Sequence, residues 1–233
     1  MLSRRRVKLL LINSNEANAF IALYNDGELI VTYAKEFIEK QEKQPRVKPS
    51  DRLIDCLDDV IKKSNDILLS SIDAVAVITG PGSFTGIRVG LSIAKGFADA
   101  LEKKIIPIDN FILTLNRIGK IETDKTYCIV LPAKLPEYYY RTMSSCREIE
   151  TGFFFPDEIS AKINEKTILV GDFNDESQIN VNYFRYIDVQ NMKSELDSMT
   201  ELSLLYFNEN KAVDPGEIEP LYIKDFVAKK KQF

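Results

Sequence analysis

Histidine is missing from this chain altogether. Without it there is no Ser-His-Asp or Cys-His device for nucleophilic catalysis and no HExxH zinc site. Cysteine is scarce: Cys56, Cys128 and Cys146 are the only three, odd in number and far apart. That pattern supports neither a disulfide scaffold nor a zinc site, and it fits a reducing compartment. Long apolar runs are lacking too. Arg4, Arg5 and Arg6 precede Val7–Ile12 in the manner of a signal peptide, yet the unbroken run Leu9–Ile12 is four residues against about 7–15 in a secretory core. No stretch approaches the roughly 18 residues of a membrane span. A cytoplasmic protein with no membrane contact is the expectation. Nor is there an excess of positive charge. The formal net charge is −4, whereas affinity for nucleic acid comes largely from Lys and Arg neutralising phosphates.

What is present is ordinary globular material. The 233 residues are 45% hydrophobic and 28% charged, enough for a real core and for one or two domains. Val7–Ile12, Ala19–Tyr24 and Glu28–Tyr33 read as strands, the last two joined by Asn25-Asp26-Gly27, a hairpin signal expected to be exposed. Glu36–Lys48 is polar and reads as a loop or an irregular helix start. Ser50 is a candidate N-cap for a helix to Lys63 with Leu53, Ile54, Leu57, Val60 and Ile61 at helical spacing. Asp73–Ile78 and Lys104–Ile108 read as strands, Phe84–Leu101 and Phe111–Ile118 as helices. In the second half, Tyr127–Leu131, Glu137–Met143, Ile149–Phe155 and Thr167–Val170 read as strands. Pro156–Asn164 and Glu195–Asn208 read as helices, and Pro215–Lys224 as extended chain. The β-β-β-α-β-α-β order of the first 108 residues predicts a mixed sheet carrying helices. The second half partly echoes it, which places a boundary between subdomains 1–108 and 109–233.

The most informative stretch is GPGSFTGIRVGLSIAKGFA, residues 80–98. It reads as a tight turn opening a helix. Gly80 and Gly82 permit backbone shapes that a Cβ forbids, and Ser83 or Thr85 can cap the helix start. It is not a P-loop, because no Lys-Ser or Lys-Thr pair follows at the required spacing, nor does it match GxGxxG. Gly86, Gly90, Ala94 and Ala98 recur at every fourth position and form a strip almost without side chains. Interior glycine costs about 0.8–1 kcal/mol against alanine, so something packs close to it. Spacing alone favours the protein's own sheet over a partner helix.

This stretch, the turn residues Gly80, Pro81, Gly82, Ser83 and Thr85 included, closely resembles the signature of the TsaB (YeaZ) family, formerly described as glycoprotease-like. Further segments resemble the family in the same order: VKLLLINSNEANAFIALYNDGELI its opening hairpin, IDNFILTLNRI its short helix, LPAKLPEYYYR its DAR-x-x-E-x-Y segment and EPLYIKDFVA its closing segment. The resemblance implies an α/β chain with the actin-like ATPase (ribonuclease H-like) fold of sugar kinases, actin and the heat-shock ATPases, in two subdomains with mixed sheets. It also implies a non-catalytic scaffold and activator for a TsaD-type catalytic subunit, working with a TsaE-type ATPase to place threonylcarbamoyladenosine at position 37 of tRNA. Asn13-Ser14 stand where the family usually has Asp-Thr, and Pro132 and Lys134 stand in place of the first Asp and the Arg of the DAR segment.

Three functions compete. The scaffold ranks first. An actin-like-fold ATPase or phosphotransferase ranks second, because such enzymes hold Mg²⁺ with carboxylates at strand ends and here Asn13 and Pro132 stand instead. A metalloprotease ranks last for want of histidine. No metal or cofactor site is assigned. Asp73 and Asp109 are given structural roles, and Asp26, Asp55, Asp58 and Asp59 a solvated face. The run Tyr138-Tyr139-Tyr140 reads as core alternating with surface. Lys229-Lys230-Lys231 reads as a solvated tail, and tRNA as an indirect partner only. The resemblance implies docking through the helices at 50–63 and 84–101. The residues expected to touch the partner are Leu53, Leu57, Arg88, Leu91, Ser92 and Lys95, with Gly86 and Gly90 setting the helix spacing. A homodimer through the same helices is expected to compete.

Overall fold

The computed structural model describes residues 6–15, 18–35, 48–64, 69–134, 136–145, 147–161, 163, 166–171, 185–188 and 191–224. The loop at 36–47, Cys146, the side chain of Ser50 and the terminal lysines lie outside the described residues.

The first sheet has the strand order β3-β2-β1-β4-β5. Its strands are β1 (Lys8–Asn13), β2 (Phe20–Asn25), β3 (Glu28–Tyr33), β4 (Ala74–Gly80) and β5 (Lys104–Asp109). β1, β2 and β3 pair antiparallel, while β1, β4 and β5 pair parallel. The β2–β3 connection is a two-residue turn in which Asp26 and Gly27 both hold positive φ, at 49° and 102°. These values match the twist of the flanking strands, and both residues are exposed, as the Asn-Asp-Gly signal requires.

Strand residues alternate between two cores. Leu10, Ile12, Ile21, Val75, Val77 and Ile105 face α1 (Leu53–Lys63) and α2 (Phe84–Leu101). Leu9, Leu11, Phe20, Ala76, Ile106 and Ile108 face the opposite way, packed with Leu113 of α3 (Asn110–Arg117) and with Met199 and Leu202 of α4 (Glu195–Asn208). β1 and β4 read as continuous apolar runs because both their faces are covered. The chain enters α1 through a 3-10 turn, Pro49–Arg52.

The second sheet has the order β10-β9-β6-β7-β8, from β6 (Thr126–Pro132), β7 (Tyr138–Ser144), β8 (Arg147–Phe154), β9 (Thr167–Gly171) and β10 (Arg185–Asp188). β6, β7 and β8 pair antiparallel, and β6, β9 and β10 parallel. Read from β6, this repeats the first sheet strand for strand. The duplicated mixed sheet is the actin-like architecture. Tyr138 and Tyr140 are buried and Tyr139 between them is half-buried, the alternation of faces a strand demands. Two local readings need correction. Pro156–Ala161 is a 3-10 turn rather than a helix to Asn164, and β10 carries too little periodicity to be read as a strand.

The division of the chain also differs from a cut at residue 108. One compact unit comprises residues 1–119 and 193–220, the other 120–192 and 221–233. The reason is the second face of the first sheet. Its cover is encoded partly in α4, which follows the second sheet in sequence. After α4, Val213 forms a bridge with Ile105. Among the described residues no helix is long and apolar enough to cross a membrane.

Residues 1–108 made alone expose the Leu9, Leu11 and Ile106 face and are expected to show no cooperative unfolding transition. Joining 1–119 to 193–220 through a short Gly-Ser linker restores the cover, and Lys193 N already donates to Arg117 O at 3.0 Å. Circular dichroism with urea titration checks this. Equal cooperativity of the two fragments counts against the division.

Candidate functional site

Helices α1 and α2 sort the expected partner residues into two groups. Leu53, Leu57 and Leu91 are buried in the first core, so the expectation that they touch a partner is corrected. With about 100° per residue, Leu53, Cys56, Leu57 and Val60 form one inward stripe. Ile54 falls off its edge and is 59% exposed. On α2, Phe84 is 37% exposed, and Arg88 and Ser92 are exposed. Ile54, Phe84, Thr85, Arg88, Val89, Ser92 and Ile93 line one apolar groove between the two helices. The Arg88 guanidinium lies 3.8 Å from the Phe84 ring centroid, close enough for a cation–π contact. Lys95 is half-buried further along α2 and does not line the groove.

Gly86 and Gly90 face inward, which corrects their assigned role. A Cβ at Gly86 would lie 2.7 Å from the Ser14 carbonyl oxygen, and one at Gly90 would lie 2.7 Å from Ser14 Oγ. The close neighbour is therefore the chain leaving β1, not a partner helix. Ala94 and Ala98 continue the strip into the core. In the signature turn, Gly80 holds φ at 120°, a value that favours glycine. Gly82 meets only ordinary contacts, so no steric demand fixes it. Pro81 is buried, and its carbonyl accepts a hydrogen bond from Asn110 Nδ2 at 2.9 Å. Ser83 is the N-cap, with Oγ accepting from Gly86 N at 3.3 Å. Thr85 is exposed at the groove instead.

A second cluster, missed by the sequence reading, lies at the end of β1. Glu195, the first residue of α4, accepts hydrogen bonds from Asn13 Nδ2 at 2.9 Å and Asn15 Nδ2 at 3.3 Å. Its carboxylate also lies 3.5 Å from the Arg117 guanidinium, and the two side chains are 10% and 11% exposed. Asn13 Oδ1 accepts from Asn15 N at 2.8 Å, which fixes the amide's orientation. Burial pushes the Glu195 carboxyl above its ordinary range, and Arg117 followed by the Asn13, Asn15 and Asn18 side chains pulls it back. An aspartate at position 13 would set two carboxylates face to face. The only trace in sequence is Asn13 itself, an amide at a strand end. Its partner lies 182 positions away.

The remaining acids have local work. Asp73 accepts from Lys8 N at 2.9 Å and Asp109 caps α3 through Phe111 N at 2.8 Å. Asp58 pairs with Lys62, while Asp59 accepts from Thr32 Oγ1 at 2.7 Å and pairs with Lys63. Burial pushes the Cys128 thiol up to about 12, so it is no nucleophile at neutral pH.

Comparison with known proteins bears on this arrangement. A family model described as TsaD, tRNA N6-adenosine threonylcarbamoyltransferase, matches residues 48–147, which hold α1 and α2. The tRNA threonylcarbamoyladenosine biosynthesis protein TsaB of Haemophilus influenzae is 23% identical over 97% of this chain and 98% of its own length. TsaB of Escherichia coli is also 23% identical, over the same shares. Along nearly its whole length the chain is thus similar to TsaB (YeaZ) proteins. The fold agrees: the structure of YeaZ from Pseudomonas aeruginosa superposes with a TM-score of 0.68 at 17% identity, covering 93% of this chain and 99% of that one. The TsaD likeness of the family model spans residues 48–147 and so includes the groove.

Two outcomes follow from the geometry. Gly90→Ala gains helix propensity yet drives a Cβ against Ser14, and the expected net loss is about 1–3 kcal/mol. Gly96, with nothing within 4 Å of its added Cβ, should gain about 0.5–1 kcal/mol as Ala. Urea denaturation reads both, and equal signs would refute the close approach. For Glu195, a folded-state pKa above the unfolded one means its stabilisation is full below the ordinary carboxyl range and is lost as pH rises through the raised value. Wild type should lose stability relative to Glu195→Gln as pH rises above the ordinary carboxyl range. Paired melts across that range check the slope, and the opposite slope contradicts it.

Proposed function

We propose that this chain acts in tRNA threonylcarbamoyladenosine synthesis as a non-catalytic scaffold and activator, docked on a TsaD-type catalytic subunit through the outer face of α1 and α2. The observation that carries this reading is the exposed groove of Ile54, Phe84, Val89 and Ile93 rimmed by Arg88 and Ser92. Apolar surface of this kind on a soluble fold marks an interaction site. The TsaD likeness covers both helices, so a TsaD-type partner carries a related helix pair, and the two pairs pack like against like as in a two-fold contact. A second copy of this chain competes for the same face, giving a homodimer. A TsaE-type ATPase joins the assembled pair, and tRNA is engaged through the complex rather than by this acidic chain alone.

The non-catalytic role is supported at the end of β1. Asn13 is a neutral amide, which neither serves as a base nor holds a metal by charge. The carboxylate that does reach this place, Glu195, is bound to Arg117. The rival reading, an ATPase or phosphotransferase with its own nucleotide site, requires a free acid there.

Ile54→Glu and Arg88→Glu should each weaken capture of the TsaD-type subunit about tenfold or more, roughly 1.4 kcal/mol or above, with melting temperature unchanged. Leu57→Glu should instead unfold the protein, because Leu57 belongs to the core. Quantitative pull-down beside thermal melts makes the measurement. Undiminished capture by both surface variants would move the docking face elsewhere.

A further inference from the structure

Three glycines lie inside α2: Gly86, Gly90 and Gly96. The first two have an internal reason, since Ser14 leaves no room for a Cβ at either. Gly96 has none. It is exposed, and a Cβ added there meets nothing within 4 Å. Its φ lies outside the left-handed region, so backbone geometry does not ask for glycine either. It stands in the helix interior, away from the caps at Ser83 and Glu102, where glycine weakens a helix more than any residue but proline. The unit that α2 belongs to gains nothing from it.

Its place on the helix supplies a reason. Gly96 follows Ile93 by three positions and Ser92 by four, so it lies on the same face, one turn beyond the end of the groove. The groove is an independent sign of a partner, because Ile54 in its wall is 59% exposed and Phe84 37%. Beyond Gly96, Ala100 is exposed and short. A helix lying along the groove thus runs on to a point where α2 presents only backbone. There a neighbouring backbone can come closer than the usual interaxial distance of about 8–10 Å.

We infer, on the docking reading above, that a helix of the TsaD-type partner crosses α2 at Gly96, with its backbone where a side chain at that position would otherwise stand. The TsaD likeness covers residues 48–147 and with them α2, so the partner carries a helix of the same kind to set against it. Gly96 is then a positioning residue of the assembly. It sets how near the two helices lie, while Ile54, Phe84 and Arg88 supply the contact. The helix stability forgone at Gly96 is recovered only in the complex.

The test pairs stability with capture in the full chain. Gly96→Ala should raise the melting temperature by about 1–4 °C and yet weaken capture of the TsaD-type subunit about tenfold. Gly96→Leu should weaken capture about a hundredfold. A loose contact has the opposite sign, because leucine then adds apolar area to the interface and strengthens capture. Undiminished capture by both glycine variants, while Ile54→Glu and Arg88→Glu weaken it, overturns the crossing at Gly96 and leaves the docking face standing. If none of the four variants weakens capture, the docking reading falls and the crossing falls with it. Loss of self-association in sedimentation by Gly96→Leu, with capture unchanged, makes the close neighbour a second copy and overturns the crossing by the TsaD-type partner. A lowered melting temperature for Gly96→Ala overturns it as well, because the space at Gly96 is then filled from within.

Discussion

Both faces of β1 and β4 are buried, and everything around the first sheet follows from having to cover them. Leu10, Ile12, Val75 and Val77 on one side are covered by α1 and α2, encoded between the strands themselves. Leu9, Leu11, Ala74 and Ala76 on the other need a second layer. α3 supplies part, and α4, coded after the whole second sheet, supplies the rest. Removing apolar surface from water is worth roughly 25 cal/mol per Å², and a sheet with one bare face forgoes about half of that gain. This is why the chain returns, and why its first unit is assembled from two separate stretches.

The same cover decides which side of α1 and α2 is left to a partner. Their inward stripes are consumed by the sheet, and Gly86 and Gly90 are consumed by the turn after β1, where Ser14 comes too close for any side chain. What stays outside is a narrower set of residues on the flanks of those stripes: Ile54, Phe84, Arg88 and Ser92. A glycine strip and a partner-facing groove thus coexist on one helix, on different sides of it. The strip secures the helix against its own unit and so holds the groove in a fixed shape.

Charge at the end of β1 follows a comparable logic. The carboxylate there comes from α4, and the strand end presents an amide that can donate to it. Two acids in that space would repel in a setting with little water to screen them. Asn13 is therefore tied to Glu195, and the departure from an acid at that position has a structural partner.

Much of this was legible in the chain itself. Glu28–Tyr33, Phe84–Leu101 and Glu195–Asn208 match their sequence-read bounds, because a strong period, a Ser cap and a positive-φ turn are local signals. The signature at 80–98 sufficed to point to the family and, with it, the fold. The absence of histidine by itself closes off whole classes of chemistry. Local periodicity says that a face is apolar, but not what covers it. The inward or outward sense of Leu53 against Ile54, the use of Gly86 and Gly90, the capture of α4 by the first sheet and the meeting of Asn13 with Glu195 were decided only by tertiary packing. Each depends on groups far apart in sequence, and no local pattern encodes which distant surface removes a side chain from water.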